Sequence, residues 1–76
     1  MEIKQLEYFA AAVEYGSLNR AAEKLYTTQP NVSRVLNSLE KELHVTLLER
    51  SNKGIKMTPQ GEELYGHAMS ILKHSN

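Results

Sequence analysis

Only three residues, Tyr26-Thr27-Thr28, separate two stretches that each carry a helical apolar pattern. Upstream, Ser17 is placed to cap a short helix whose apolar face is Leu18, Ala21, Ala22 and Leu25. Downstream, Val32, Val35, Leu36, Leu39 and Leu43 recur at i, i+3, i+4, i+7 and i+11, the stripe of a longer helix. Three residues are too few for an independent loop, so the chain must turn tightly and lay the second helix across the first. A close crossing admits only small side chains, and Ala21 and Ala22 supply them. Thr28 is placed to cap the second helix, and Pro30 falls in its first turn, where a missing N–H costs nothing.

The other elements build outward from this pair. Ile3, Leu6, Phe9, Ala10 and Val13 give an earlier helix, closed by Gly16 at its C-cap. Thr46–Arg50 and Ile55–Thr58 are β-prone runs on either side of Ser51-Asn52-Lys53-Gly54, where Asn and Gly tolerate positive φ. They predict a hairpin with a basic tip. Thr58-Pro59 starts a last helix, a Thr cap followed by Pro at the first helical position. That helix carries one stripe of Leu64, Ala68 and Ile71 and a flanking stripe of Tyr65, Met69 and Leu72. A chain of 76 residues hides only about 60% of its unfolded surface, so one stripe satisfies the core and the second is surplus. The expected fold class is mainly α with a small β-hairpin: a winged helix-turn-helix over 1–58, followed by a further helix over 59–76.

Composition excludes several classes. The chain has no Cys, so neither a disulfide framework nor a thiolate metal site is available. Its longest apolar run, Tyr8 to Val13, is far short of a membrane span, and Met1-Glu2-Ile3-Lys4 does not begin a signal peptide. A cytoplasmic location is expected. The net charge is zero, yet residues 27–58 hold five basic side chains against three acidic. Such a balance argues against non-specific coating of nucleic acid but leaves room for a small oriented basic face. His44, His67 and His74 are scattered and the chain has no Asp. Glu63 and His67, at i and i+4, supply at most two ligands of a metal. No nucleophile, base and orienter come together, so neither an enzyme, a metal nor a cofactor is expected.

The second helix of a helix-turn-helix enters the DNA major groove. Projected at about 100° per residue, the face opposite Val32, Leu36 and Leu39 holds Pro30, Arg34, Asn37 and Lys41, with Ser33 on one flank and Gln29 nearer the core edge. Gln and Asn pair bidentately with adenine, Arg with guanine, and Ser with either base or with phosphate. Glu40 lies on the same flank, but near the far end; the leading end carries no acid. Arg34 has neither Glu40 nor Glu42 at i+3 or i+4 to pair with. Gln29 and Ser33 serve equally as helix-start caps, Pro30 as a first-turn former and Lys41 as a solvated charge. Arg50, Lys53 and Lys56 on the hairpin suit the flanking backbone or minor groove, as a wing does, although Lys on a hairpin edge also blocks strand pairing. Arg20 and Asn19 stand at the start of the earlier helix, where Arg20 either meets phosphate or pairs with Glu23. Tyr8, Tyr15, Tyr26 and Tyr65 form no interleaved stacking platform and read as core-edge residues.

Several runs carry a family resemblance: Gly16-Ser17-Leu18-Asn19-Arg20-Ala21-Ala22-Glu23-Lys24-Leu25, Thr28-Gln29-Pro30-Asn31-Val32-Ser33-Arg34, Leu39-Glu40-Lys41-Glu42-Leu43, Leu47-Leu48-Glu49-Arg50 and Thr58-Pro59-Gln60-Gly61. Together they resemble the N-terminal domain of LysR-type transcriptional regulators, from Leu6 to Leu72. The resemblance implies a bacterial protein that binds palindromic promoter sites in double-stranded DNA, commonly as a dimer of dimers. The resemblance, joined to the helix face and hairpin described above, gives Thr28, Gln29, Pro30, Asn31, Ser33, Arg34 and Asn37 as candidate DNA contacts, with Arg20, Arg50, Lys53 and Lys56 around them. It also makes the last helix a linker that pairs two domains, a use for Tyr65, Met69 and Leu72. Family members continue into a larger effector-sensing domain, so the chain is expected to be a fragment of a longer regulator. Three features depart from the family's pattern. Asn31 stands where a small residue such as Ala is usual, opening an extra polar contact or a different base preference. Thr27 replaces an apolar residue and is expected to pack less well. The charge is also less positive than usual for an isolated DNA-binding domain. That neutrality motivates an alternative, a helical protein–protein module docking through the last helix. A winged-helix repressor of another family is a nearer one.

Overall fold

The computed structural model describes residues 1–72, folded in the order α1 (Ile3–Tyr15), α2 (Leu18–Lys24), α3 (Gln29–Leu43), β1 (Leu48–Ser51), β2 (Gly54–Met57) and α4 (Pro59–Leu72). The end of the expected linker helix, 73–76, and with it His74, lies outside the described residues. None of the described helices is long and apolar enough to cross a membrane.

Local chemistry sets the helix limits. Gly16 closes α1 in the left-handed conformation, its N–H donating to the Ala12 carbonyl. Ser17 Oγ accepts from the Arg20 N–H at 3.3 Å, and Thr28 Oγ1 accepts from the Asn31 N–H at 3.3 Å, so α2 and α3 both start on side-chain caps. Thr58 does the same for α4, accepting from the Gly61 N–H at 3.0 Å. Two caps came without sequence warning. Gln5 Oε1 accepts from the Glu2 N–H at the head of α1, at 2.8 Å. At the end of α3, His44 takes the left-handed conformation that glycine usually fills.

Phe9, Val32, Leu36, Leu39 and Leu47 form the fully buried centre, with Tyr8, Ala12, Ala22 and Leu48 around them. Burying a leucine such as Leu36 or Leu39 is worth about 1.5–3 kcal/mol. Ala21 and Ala22 are buried, as the close helix crossing requires. The pattern on α1 is broader than a single stripe. This helix packs against α2, α3, α4 and β2, so the whole run from Tyr8 to Ala12 is buried while Ile3 is exposed. Val35 and Leu43 are only half-buried edges of the α3 stripe.

β1 and β2 pair antiparallel, Leu48 with Met57, Glu49 with Lys56, Arg50 with Ile55 and Ser51 with Gly54. The hairpin is displaced from the expected runs, because Thr46 and Leu47 are used as a junction rather than as strand. Leu47 N–H and Leu48 N–H both donate to Glu40 Oε2, at 2.7 and 3.1 Å. The Leu47 carbonyl accepts from the Thr58 N–H at 3.0 Å, and the Thr58 hydroxyl donates to the Thr46 carbonyl at 2.6 Å. Of the two turn residues expected to take positive φ, only Gly54 does, at 113°. It sits against the α1–α2 turn, where an added Cβ would lie 3.1 Å from the Gly16 carbonyl oxygen.

α4 crosses this junction closely. A Cβ on Gly61 would stand 2.1 Å from the Leu47 carbonyl oxygen, whereas one on Gly66 would meet open space. Gly61→Ala is therefore expected to destabilise the domain by about 1–3 kcal/mol, while Gly66→Ala stabilises it by up to about 1 kcal/mol through helix propensity. Urea unfolding followed by circular dichroism separates the two. Equal effects from both substitutions would refute the close approach.

Candidate nucleic-acid interface

The outward face of α3 is polar and acid-free at its leading end. Pro30, Arg34, Asn37 and Lys41 are exposed on it, and Gln29, Asn31 and Ser33 are half-buried beside them. Glu40, expected on a flank of this face, turns instead to the backbone of Leu47 and Leu48. That removes the acid nearest the polar face. Sequence spacing placed Glu40 on the helix but carried no sign of the two strand-start N–H groups waiting for it.

The hairpin contributes unevenly. Arg50 reaches back across α3, its Nη1 donating to Ser33 Oγ at 3.0 Å and its Nη2 to Asn37 Oδ1 at 3.2 Å. Alternation along the strands puts Arg50 with Leu48, Ile55 and Met57 on the side facing the helices. Lys56 lies opposite, cross-strand from Glu49, and Lys53 is exposed in the turn. The expectation of one basic tip is thus corrected: Arg50 belongs to the α3 face, Lys53 to the tip and Lys56 to the outer side. A furrow of 460 Å³ runs between the hairpin and the start of α2, lined among others by Asn19, Gln29, Arg50 and Asn52. Arg20 is exposed at that end of α2, with no ion pair to Glu23 among the described residues. Arg34, Arg50, Lys53 and Lys56 likewise have no carboxylate partner among them; the ion pair found there joins the Met1 amino group to Glu42 at 2.7 Å.

Thr27 and Asn31, the two departures in the helix-turn-helix, are bonded to each other. Asn31 Nδ2 donates to Thr27 Oγ1 at 2.9 Å and to the Tyr8 phenol oxygen at 3.5 Å, and Asn31 Oδ1 accepts from Arg34 Nη2. The Thr27 hydroxyl is thereby satisfied. Tyr26, expected at the core edge, is 96% exposed and holds a positive φ of 58° in the turn, and Tyr15 is also exposed. A three-residue turn leaves Tyr26 nowhere to point but outward.

Known proteins share this arrangement. Residues 3–62 match the family described as "Bacterial regulatory helix-turn-helix protein, lysR family". This chain belongs to the LysR family of bacterial regulatory helix-turn-helix proteins. The transcriptional regulator BenM of Acinetobacter baylyi is 43% identical over 74 residues, which cover 97% of this chain and 24% of BenM. The nitrogen assimilation regulatory protein nac of Escherichia coli is 42% identical over 73 residues, 96% of this chain and 24% of that protein. The complex of the BenM DNA-binding domain with catB site 1 DNA has a TM-score of 0.94 at 43% identity, covering 99% of this chain and 84% of that one. The DNA complex of the CbnR DNA-binding domain has a TM-score of 0.92 at 41% identity, covering 99% and 86%. The chain spans about a quarter of the length of the curated relatives it matches.

In this LysR-family domain α4 lies against α1, and the division of its two stripes is corrected. Tyr65, placed in the surplus stripe, packs edge-on against Phe9 with ring centroids 6.4 Å apart and donates its hydroxyl to Glu14 Oε2 at 3.2 Å. Ile71, placed in the core stripe, is 50% exposed. Met69 and Leu72 are half-buried along a trough of 310 Å³ between α4 and α1. Glu63 and His67 are both exposed, and no group of three or more potential ligands that could hold a metal occurs among the described residues.

Two outcomes follow from these contacts. Arg50→Ala should speed amide exchange in the hairpin while leaving α1 unchanged, because it cuts the tie from β1 to α3; unchanged hairpin protection would show that the tie carries no restraint. Burial, then the Glu14 carboxylate, raises the Tyr65 phenol above its ordinary value. The stability it adds is complete below about pH 10 and is lost as pH rises through the raised value. In an ultraviolet titration the latest-ionising phenol should disappear in Tyr65→Phe, and its persistence would refute the assignment.

Proposed function

We propose that this domain binds a palindromic promoter site in duplex DNA, with α3 in the major groove and the hairpin beside it as a wing. The observation that carries this reading is the acid-free leading end of α3, with Arg34 exposed and without a carboxylate partner, in a fold shared with DNA-bound BenM and CbnR. Gln29, Pro30, Ser33 and Arg34 read base edges, and Thr28 and Asn37 line the same face. Arg20, Arg50, Lys53 and Lys56 meet the backbone or the minor groove. Their charge is local, which lets a neutral domain attract a polyanion on one side.

The wider reading is that of a longer cytoplasmic regulator without enzymatic activity or a cofactor. Residues 1–58 form the DNA-binding unit, and 59–76 begin a linker helix that pairs two copies through Met69 and Leu72, Tyr65 being engaged with Phe9 and Glu14 of its own chain. A further domain of the full protein senses a small-molecule effector. The half-buried placing of Met69 and Leu72 on the α1–α4 trough supports a second chain there.

The test is selection from a duplex pool with a randomised core, followed by fluorescence anisotropy on the selected site at two salt concentrations. Arg34→Ala is expected to cost about 1–3 kcal/mol on that site and to relax preference at one position. Lys53→Ala should weaken all sequences alike and flatten the salt dependence. Sequence-blind binding by the wild type would remove the base-reading role. Absence of binding, with function lost only on replacing Met69 and Leu72, would favour a protein–protein module.

A further inference from the structure

Asn31 is the residue whose placing departs most from what its position on α3 suggests. It lies between Pro30 and Arg34 on a helix proposed to read bases, yet both ends of its amide are already bonded within the chain. Arginine only donates, so the oxygen of the Asn31 amide must face Arg34 Nη2. The amide nitrogen is left for the two hydroxyls, Thr27 Oγ1 at 2.9 Å and Tyr8 at 3.5 Å, both of which can accept. The orientation is therefore determined by the chemistry of its neighbours and not by a choice between two equivalent fits.

We infer that Asn31 is a positioning residue: with Thr27 and Tyr8 behind it, it holds the Arg34 guanidinium in one orientation and thereby sharpens the base preference at the position Arg34 reads. This rests on the DNA-binding reading above. Arg34 stands at i+3 from Asn31 on α3, a spacing that brings two side chains onto one helical face, and Thr27 lies in the turn just before the helix, its hydroxyl in reach of the Asn31 amide. Tyr8, itself buried on α1, anchors the set to the core. Arg34 is exposed, so its bond to Asn31 adds little to folding stability. Its effect is on freedom. An unrestrained arginine loses rotamer entropy when it docks, and a tether made beforehand removes part of that loss. The tether is compatible with base contact, since it takes one of five N–H donors. A second Nη2 hydrogen and both Nη1 hydrogens remain for a bidentate pair on guanine O6 and N7.

The experiment compares wild type, Arg34→Ala, Asn31→Ala, Asn31→Asp and Thr27→Val by selection from the same randomised duplex pool. Arg34→Ala identifies the base pair in question. Asn31→Ala should select the same site with the preference at that base pair reduced roughly two- to tenfold and the other positions unchanged. Asn31→Asp keeps an oxygen toward Arg34 and accepts hydrogen bonds from both hydroxyls. It should restore the preference there while weakening all sequences alike through its charge. Thr27→Val should have a smaller effect that vanishes in the Asn31→Ala background. A loss spread evenly over all positions, or a changed preference at a position Arg34 does not read, would overturn the inference. A second readout needs no DNA: side-chain nitrogen NMR should show hindered Arg34 guanidinium rotation in wild type and free rotation in Asn31→Ala, and equal mobility in both overturns it. Failure of the DNA reading itself looks different, because wild type then selects no site at all. The inference about base preference falls with it.

Discussion

The backbone of Leu47 is where the parts of this domain are joined. Its N–H is held by Glu40 from α3, its carbonyl takes the N–H of Thr58 at the head of α4, and its side chain lies in the core. The Thr58 hydroxyl closes the same knot by donating to the Thr46 carbonyl while capping α4 through Gly61. Gly61 must lack a side chain because its Cβ would stand on the Leu47 oxygen. A strand start has N–H groups with no ladder partner, and left buried and unmet they would each cost a large part of a hydrogen bond. Meeting them with the Glu40 carboxylate fixes how far the hairpin stands from α3, and so sets the width of the proposed DNA face.

On that face the polar groups are already bonded to one another. Arg50 from the hairpin bridges Ser33 and Asn37, and Arg34 is held by Asn31. Neither arginine has a carboxylate partner among the described residues, so their charges stay available to an anion. A domain of zero net charge can present such a face because its acids are elsewhere: Glu40 at the junction, Glu42 on the Met1 amino group, Glu14 under Tyr65. The distribution of charge, more than its sum, decides what partner such a domain attracts.

Much of the fold was legible because its signals are local. Ser17, Thr28 and Thr58 each cap an N–H three residues ahead, and Gly16 ends a helix at its own position, so no distant partner enters the reading. Val32, Leu36 and Leu39 are buried where their period put them, and the whole helix-turn-helix was visible in the shortness of its turn. The motif runs from Gly16 to Gly61 likewise pointed to the family the chain belongs to. The hairpin was legible as a hairpin, but its limits and the sides its basic residues take were not, because a strand's register depends on what its ends are bonded to.

The sequence by itself determined the order of elements, the caps, the apolar stripe of α3 and the polar identity of its outer face, since each depends on residues within a turn or two of one another. The tertiary structure alone decided which of the two stripes on α4 meets α1, why Ile3 is exposed and Gln5 is not, and where Glu40, Arg50 and Asn31 turn. A period gives the direction of a side chain about its own helix axis. What stands opposite depends on the crossing of elements far apart in the chain. Asn31 shows the difference most plainly: its neighbours in sequence place it beside the polar outer face of α3, and Tyr8, from another helix, helps to hold its amide nitrogen inward.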